Sequence, residues 1–213
     1  TVLYTGNGST QAVTGTGFKP DLSWVKNRNT AGNNHDLADS IRGVNNVIQS
    51  NLTNAQYFNS TYQFNSFDTD GITVTDDAAG NYGFNGNNET YVSWNWKAGG
   101  TPSINTDGTI TSIVSANQAA GFSIVKFTSP FNGQTAGHGL SSTPEMIILK
   151  IVNTSAAWYV WTPALTSGNS LALNDYRGEN TDVAFTVNST TFTTNFSNTS
   201  FEYIAYCFTS ISG

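Results

Sequence analysis

The sequence predicts an all-β chain of two tandem antiparallel β-sandwich, jelly-roll-like units related by an internal repeat. Three observations carry that expectation. The composition favours strands and turns over helices. Turn dipeptides recur at short intervals along the chain. Four sequence patterns of the first half return, in the same order, in the second.

The composition comes first. Among 213 residues, charged side chains are 10% and aromatics 13%, whereas about 25% charged is usual. Thr and Asn are the commonest residues, while the chain holds only 4 Glu and 5 Lys. Thr, Tyr, Phe, Trp and Val fit a pleated, half-buried surface. Asn, Gly and Ser serve turns. The long helix formers are sparse. Polarity here comes from neutral amides and hydroxyls, and the aromatics supply burial, so the chain is expected to fold.

Turn signals stand at Asn7-Gly8, Asp70-Gly71, Asn85-Gly86, Asp107-Gly108 and Asn132-Gly133, the dipeptides that close hairpins. The only stretch with a helical character is Asp36 to Gln49, and its Asn and Gly content weighs against a helix.

The repeat is read from four echoes. Val2-Leu3-Tyr4-Thr5 answers to Ile124-Val125-Lys126-Phe127-Thr128. Pro20-Asp21-Leu22-Ser23-Trp24-Val25-Lys26 answers to Pro144-Glu145-Met146-Ile147-Ile148-Leu149-Lys150. A proline ahead of a strand fits, because proline has no N–H for a central ladder. Leu37 to Gly43 is matched with Leu173 to Gly178, each ending Arg-Gly. Tyr91-Val92-Ser93-Trp94-Asn95-Trp96 answers to Tyr203-Ile204-Ala205-Tyr206-Cys207-Phe208. These set a first unit at 1–100, a linker with an added strand near Thr109–Val114 at 101–120, and a second unit at 121–213.

Composition also bounds function. The formal net charge is −6, with eight scattered cations. A phosphate backbone would be repelled on average, so no nucleic acid partner is expected. No apolar run reaches the roughly 20 residues of a bilayer-spanning helix, so no membrane insertion is expected. Thr1-Val2-Leu3-Tyr4 lacks the basic start and apolar core of a signal peptide. Without an initiator Met, the chain reads as processed, a fragment or incompletely bounded. Cys207 is the only cysteine and sits in an apolar run, which reads as a small buried hydrophobe.

Chemistry is hard to find. The two histidines, His35 and His138, lack metal-ligand spacing to one another or to a second Cys. No nucleophile elbow, phosphate loop or zinc-protease motif occurs. With four Glu, and Asp mostly at turns, no acid pair for glycoside hydrolysis stands out. The chain therefore reads as no enzyme, with no cofactor. Asp68 and Asp70, with Asp76-Asp77 nearby, form a weak calcium candidate, set against an ordinary Asp-Gly hairpin. Trp158, Tyr159 and Trp161 are the ligand-binding candidates: aromatic rings beside Asn and Thr loops suit the C–H face of a sugar. Core packing is the competing account. Arg42 and Arg177 are read mainly as anchors for carbonyls or carboxylates.

Several of these residues resemble a known family. Tyr4-Thr5-Gly6-Asn7-Gly8-Ser9, Gly17 to Arg28, Ser40-Ile41-Arg42-Gly43, Ser66-Phe67-Asp68-Thr69-Asp70-Gly71 and Tyr91 to Gly100 resemble a β-rich domain of marine and cyanobacterial phage structural proteins. The second half resembles it through Ala120 to Val125, Gly137-His138-Gly139-Leu140 and Tyr203 to Phe208. It departs at Phe127 to Gly133, where the Tyr-Thr-Gly-Asn-Gly motif would stand. The resemblance implies tandem units in tail-fibre-like proteins. It implies a virion-surface or extracellular setting with other virion structural proteins as partners, and it implies no reaction. Symmetry of such assemblies favours a homo-oligomer, a trimer first, and host-surface glycan is the implied ligand. Two other readings stand beside it: a carbohydrate-binding module or adhesin of a bacterial surface, and a capsid decoration or filament subunit with no ligand.

Overall fold

The computed structural model describes residues 1–58, 64–76, 83–129, 133–195 and 200–211. The described residues are strands, turns and loops. The chain divides into two compact units: Thr1–Leu52 with Gln56–Lys97, and Ala98–Gly213 with Thr53–Ala55.

In the first unit, β1 (Val2–Thr5), β3 (Leu22–Asn27), β4 (His35–Asp39), β5 (Asn46–Gln49), β6 (Tyr57–Phe58) and β9 (Thr90–Trp96) form one antiparallel sheet in the order β1-β9-β3-β4-β5-β6. A smaller sheet, in the order β2-β8-β7, is built from β2 (Gln11–Thr14), β7 (Phe64–Asp68) and β8 (Gly71–Val74). Side chains alternate across each strand. Val25, Ala38, Val47 and Tyr91 of the large sheet therefore meet Val13, Phe64, Ile72 and Val74 of the small one in a single buried cluster. Two layers packed on one core make a sandwich.

The second unit repeats this plan. β12 (Phe122–Ser129), β19 (Phe201–Phe208), β14 (Met146–Ile151), β15 (Trp158–Trp161) and β16 (Leu171–Ala172) follow one another in the large sheet, and β10 (Ser103–Asn105) and β11 (Ser112–Asn117) extend it beyond β12. The small sheet runs β13 (Thr135–Gly137), β18 (Thr191–Thr194), β17 (Phe185–Val187). Its core joins Val125, Ile147, Leu149, Ala205 and Cys207 to Ala136, Phe185 and Phe192.

The order β1-β9-β3-β4-β5 is thus matched strand for strand by β12-β19-β14-β15-β16. Lys26 lies opposite Val92, and Lys150 opposite Ile204; Tyr4 lies opposite Tyr91, and Phe127 opposite Tyr203. The third echo behaves differently. Leu37–Gly43 spans β4 and the turn after it, but Leu173–Gly178 follows β16, and β15 occupies the place of β4. The segment 101–120, expected as a linker, supplies two strands of the second sheet, and the added strand runs Ser112–Asn117 rather than Thr109–Val114.

Asp36–Gln49, the one helical candidate, is two strands and a turn. Arg42 organises that turn. Its Nε donates to Asp39 Oδ2 at 2.6 Å, its Nη1 to Asn46 O at 2.7 Å, and its Nη2 to Leu37 O at 3.3 Å. Asp39 Oδ1 accepts from the backbone N–H of Ile41 and Arg42. Both side chains are essentially fully buried. Gly43, at φ +88°, then turns the chain into β5.

The Tyr4 to Ser9 motif is a close backbone contact. Gly6 N donates to Glu89 O at 2.8 Å and Gly8 N to Asn85 O at 3.0 Å, while buried Asn85 donates to Asn7 Oδ1 at 2.9 Å. A Cβ on Gly6 would stand 2.2 Å from Gly86 O, so only glycine fits.

Candidate functional site

The site is a cleft of about 340 Å³ in the first unit, lined by Gly32, Asn33, Asn34, Asp36, Gln49 and Tyr57 and closed on one side by Gly83 and Phe84. That is the lower end of the usual size for small-ligand pockets. Apart from Gly83 and Phe84, its residues come from three paired strands and the loop between β3 and β4. Asp36 lies opposite Gln49 on β5, and Val47 opposite Tyr57 on β6.

The β3–β4 loop is tied down at many points. Asn27 Oδ1 accepts from Asn29 N and Thr30 N, Thr30 Oγ1 donates to Glu89 Oε2 at 2.6 Å, and Asn29 Oδ1 accepts from Thr90 N at 2.7 Å. Lys26 Nζ donates to Asn33 O at 2.8 Å. His35 N donates to Asn51 Oδ1 at 3.0 Å, and Asn51 Nδ2 to Asn34 Oδ1 at 2.9 Å. Asn33 and Asn34 are therefore presented on a preorganised loop.

Asp36 forms the floor and is 5% exposed. Its Oδ1 accepts from Gln49 Nε2 at 3.0 Å and Tyr57 OH at 3.2 Å. Burial pushes its carboxyl up to about 6; the bonds from Gln49 and Tyr57, and the nearby Lys26 ammonium, pull the other way. At neutral pH the floor is thus mostly a carboxylate. In the wall, Asn33 Nδ2 is a buried donor with no hydrogen-bond partner. An unmade bond of that kind is costly.

The Asp36 value has a consequence for stability. Its folded pKa lies above the ordinary 3.8, so the group favours folding most at low pH and that contribution is lost as pH rises through about 6. Asp36→Asn keeps the shape without the charge. The variant is expected to match the parent near pH 4 and to exceed it by about 2–3 kcal/mol near pH 8, measured by urea unfolding at both pH values. An equal gap at both would refute the assignment.

The residues singled out from sequence lie elsewhere. Trp158 is fully buried, whereas Tyr159 and Trp161 are partly buried and pack on the second unit's core. Alternation on β15 puts Trp158 on the opposite face from the other two, so the three rings form no common platform. Asp68 accepts from Ser66 Oγ and Thr73 Oγ1, both at 2.7 Å. Asp70 accepts from Gly15 N at 3.1 Å and Gly17 N at 2.6 Å. Both carboxylates of the calcium candidate are thus engaged by the β7–β8 hairpin and its neighbour; Asp77 lies outside the described residues. Among the described residues, no group of three His, Cys, Asp or Glu is placed to hold a metal ion.

His138 is fully buried, with Nε2 3.2 Å from Asn188 O and Nδ1 accepting from Leu140 N at 3.1 Å; burial lowers its pKa. His35 Nδ1 accepts from Trp24 Nε1 at 3.4 Å. Lys150 is fully buried and donates to Thr53 O, Ile151 O and Ala156 O at 3.2, 2.8 and 3.0 Å, with its pKa lowered to about 8 by burial. Burial pushes the Cys207 thiol up to about 12, which suits a packed, unreactive sulfur. No helix among the described residues is long and apolar enough to cross a membrane.

What these two units define as a class is an all-β, sandwich-like protein with a polar cleft on its first unit. The chain belongs to a domain family of unknown function, DUF7483, whose model matches residues 1–213. No curated protein matches it, and no solved structure does.

Proposed function

We propose that the chain is a non-enzymatic structural protein of a phage particle, tail-fibre-like or on the head surface, which works as a rigid scaffold displaying polar loops. One observation carries the reading: three buried ionisable groups, Arg42, Lys150 and His138, are committed to holding backbone, while the Asp36 carboxyl in the cleft is held by the neutral side chains of Gln49 and Tyr57. Arg42 clasps Asp39 and two carbonyls, Lys150 sits on three carbonyls, and His138 bridges Asn188 and Leu140. Catalysis asks the opposite, namely titratable groups converging on a position where a substrate atom can sit. The shared strand order of the two units supports reading them as diverged copies, as the sequence echoes suggest. The resemblance to phage structural domains supports a virion-surface location among other virion proteins. Sparse charge suits subunits that meet over neutral surfaces, and the symmetry of such assemblies favours a homotrimer.

A second reading, a carbohydrate-binding module of a bacterial surface, is favoured by the neutral amides and hydroxyl that line the first unit's cleft. Light scattering on the purified chain separates the two. A stable trimer or larger assembly supports the virion reading. A monomer of 22.8 kDa would overturn it in favour of the module.

A further inference from the structure

We infer that the first unit's cleft is a binding site for a neutral, hydroxyl-rich ligand of the monosaccharide class, held between the Asp36 carboxyl and the Asn33 side-chain amide. The ligand class follows from the surface-display reading and from the cleft's own chemistry.

Three features point to it. The first is complementarity of donor and acceptor. Both of the hydrogen bonds that Asp36 accepts from described residues end on Oδ1. Asn33 Nδ2 is a buried donor without a partner. A vicinal diol has what both need: one hydroxyl donates to a carboxylate oxygen while its neighbour accepts from an amide N–H. The second is preorganisation. Gln49 and Tyr57 fix the carboxyl, and Lys26 fixes the Asn33 backbone at 2.8 Å. A sugar therefore meets a carboxyl and a loop backbone already ordered, and that part of the ordering cost is met in the fold. The third is charge. The buried carboxylate disfavours phosphates, sulfates and uronic acids, and the Lys26 ammonium donates to the Asn33 carbonyl. A neutral polyol remains.

The other polar groove, about 430 Å³ in the second unit, is lined by Thr101, Ser103, Asn105 and Gln118. None of its residues combines a buried carboxyl with an unpartnered buried amide. It serves as the internal control for location.

The test uses the full chain, labelled with nitrogen-15, titrated separately with glucose, galactose, mannose and N-acetylglucosamine. At least one sugar is expected to give saturable shifts at the Asn33 side-chain amide and at the backbone amides of Gly32 and Gly83. In Asp36→Asn, whose fold is checked by circular dichroism, the affinity for that sugar is expected to fall about tenfold or more, as loss of a charged hydrogen bond implies. Asn33→Ala should weaken binding in the same direction. The inference is overturned if no sugar gives saturable shifts, if the shifts map to Thr101 and Ser103 instead, or if both variants bind as the parent does. A monomeric chain that still shows saturable shifts at Asn33 would sink the virion reading and keep this one.

Discussion

Asp39→Ala is expected to destabilise the first unit by about 3–5 kcal/mol. Asp39 and Arg42 are both essentially inaccessible to water, and their contact is 2.6 Å. A guanidinium stays charged at any working pH. Removing Asp39 therefore takes the carboxylate away from a buried cation that also donates to the neutral acceptors Asn46 O, Leu37 O and Gln56 Oε1. It also removes the acceptor for the N–H groups of Ile41 and Arg42. Asp175→Ala provides the contrast. Its partner Arg177 lies at the same 2.6 Å, but half of the Arg177 side chain is exposed, and water screens the pair. That substitution is expected to cost about 0–1 kcal/mol. The double variant Asp39→Ala/Arg42→Leu should recover part of the first loss, because the buried charge that lost its carboxylate goes with the arginine. Urea unfolding followed by Trp fluorescence reads all three. Equal costs for Asp39→Ala and Asp175→Ala would show that burial does not set the strength of these pairs.

This contrast also explains what the sequence conveyed. Leu37–Gly43 and Leu173–Gly178 look alike because each places an acid just ahead of Arg-Gly, and both produce an Arg–carboxylate pair. They nonetheless sit at different points of the sheet order. A short motif that stabilises a turn recurs wherever such a turn occurs, so it reports local geometry rather than position in a fold. The strand echoes are different in kind. Pro20 to Lys26 and Pro144 to Lys150 carry the apolar residues of central strands β3 and β14, buried on one face and partly buried on the other, and a central strand keeps its place because its neighbours on each side fix its register.

The Asp36–Gln49 region misleads for a related reason. Leu37, Val47 and Ile48 are buried, and their spacing allows a helix on paper. The sheet turns at Gly43, where a positive φ is required, and Asn46 donates its side-chain amide to Arg42 O within the turn. The cleft escapes sequence reading altogether. Asn33, Asp36, Gln49 and Tyr57 share no motif, since strand pairing and the β3–β4 loop bring them together. The available signal was an aspartate next to Leu37 and Ala38 in a strand, a position where an acid is paid for by specific partners.

Trp158→Ala is the substitution that separates the two accounts of the aromatic run on β15. Trp158 is 0% exposed, and its backbone N–H donates to Asn174 Oδ1 at 2.7 Å. Deleting the indole removes one of the largest side chains in the core and leaves a cavity that rigid strands on either side of β15 fill poorly. The expected cost is about 3–5 kcal/mol. Trp161 sits on the other face, partly exposed, with its ring centroid 6.5 Å from that of Phe185. Trp161→Ala is expected to cost about 1–2 kcal/mol. Circular dichroism in urea measures both without relying on the fluorescence of the deleted ring. If the run were a sugar platform, both substitutions would leave stability nearly unchanged and abolish glycan binding together. Packing instead makes the costs unequal, because β15 sends successive side chains to opposite faces and only one of these faces seals Trp158 completely. On that account the sugar response of Asn33 survives Trp161→Ala unaltered.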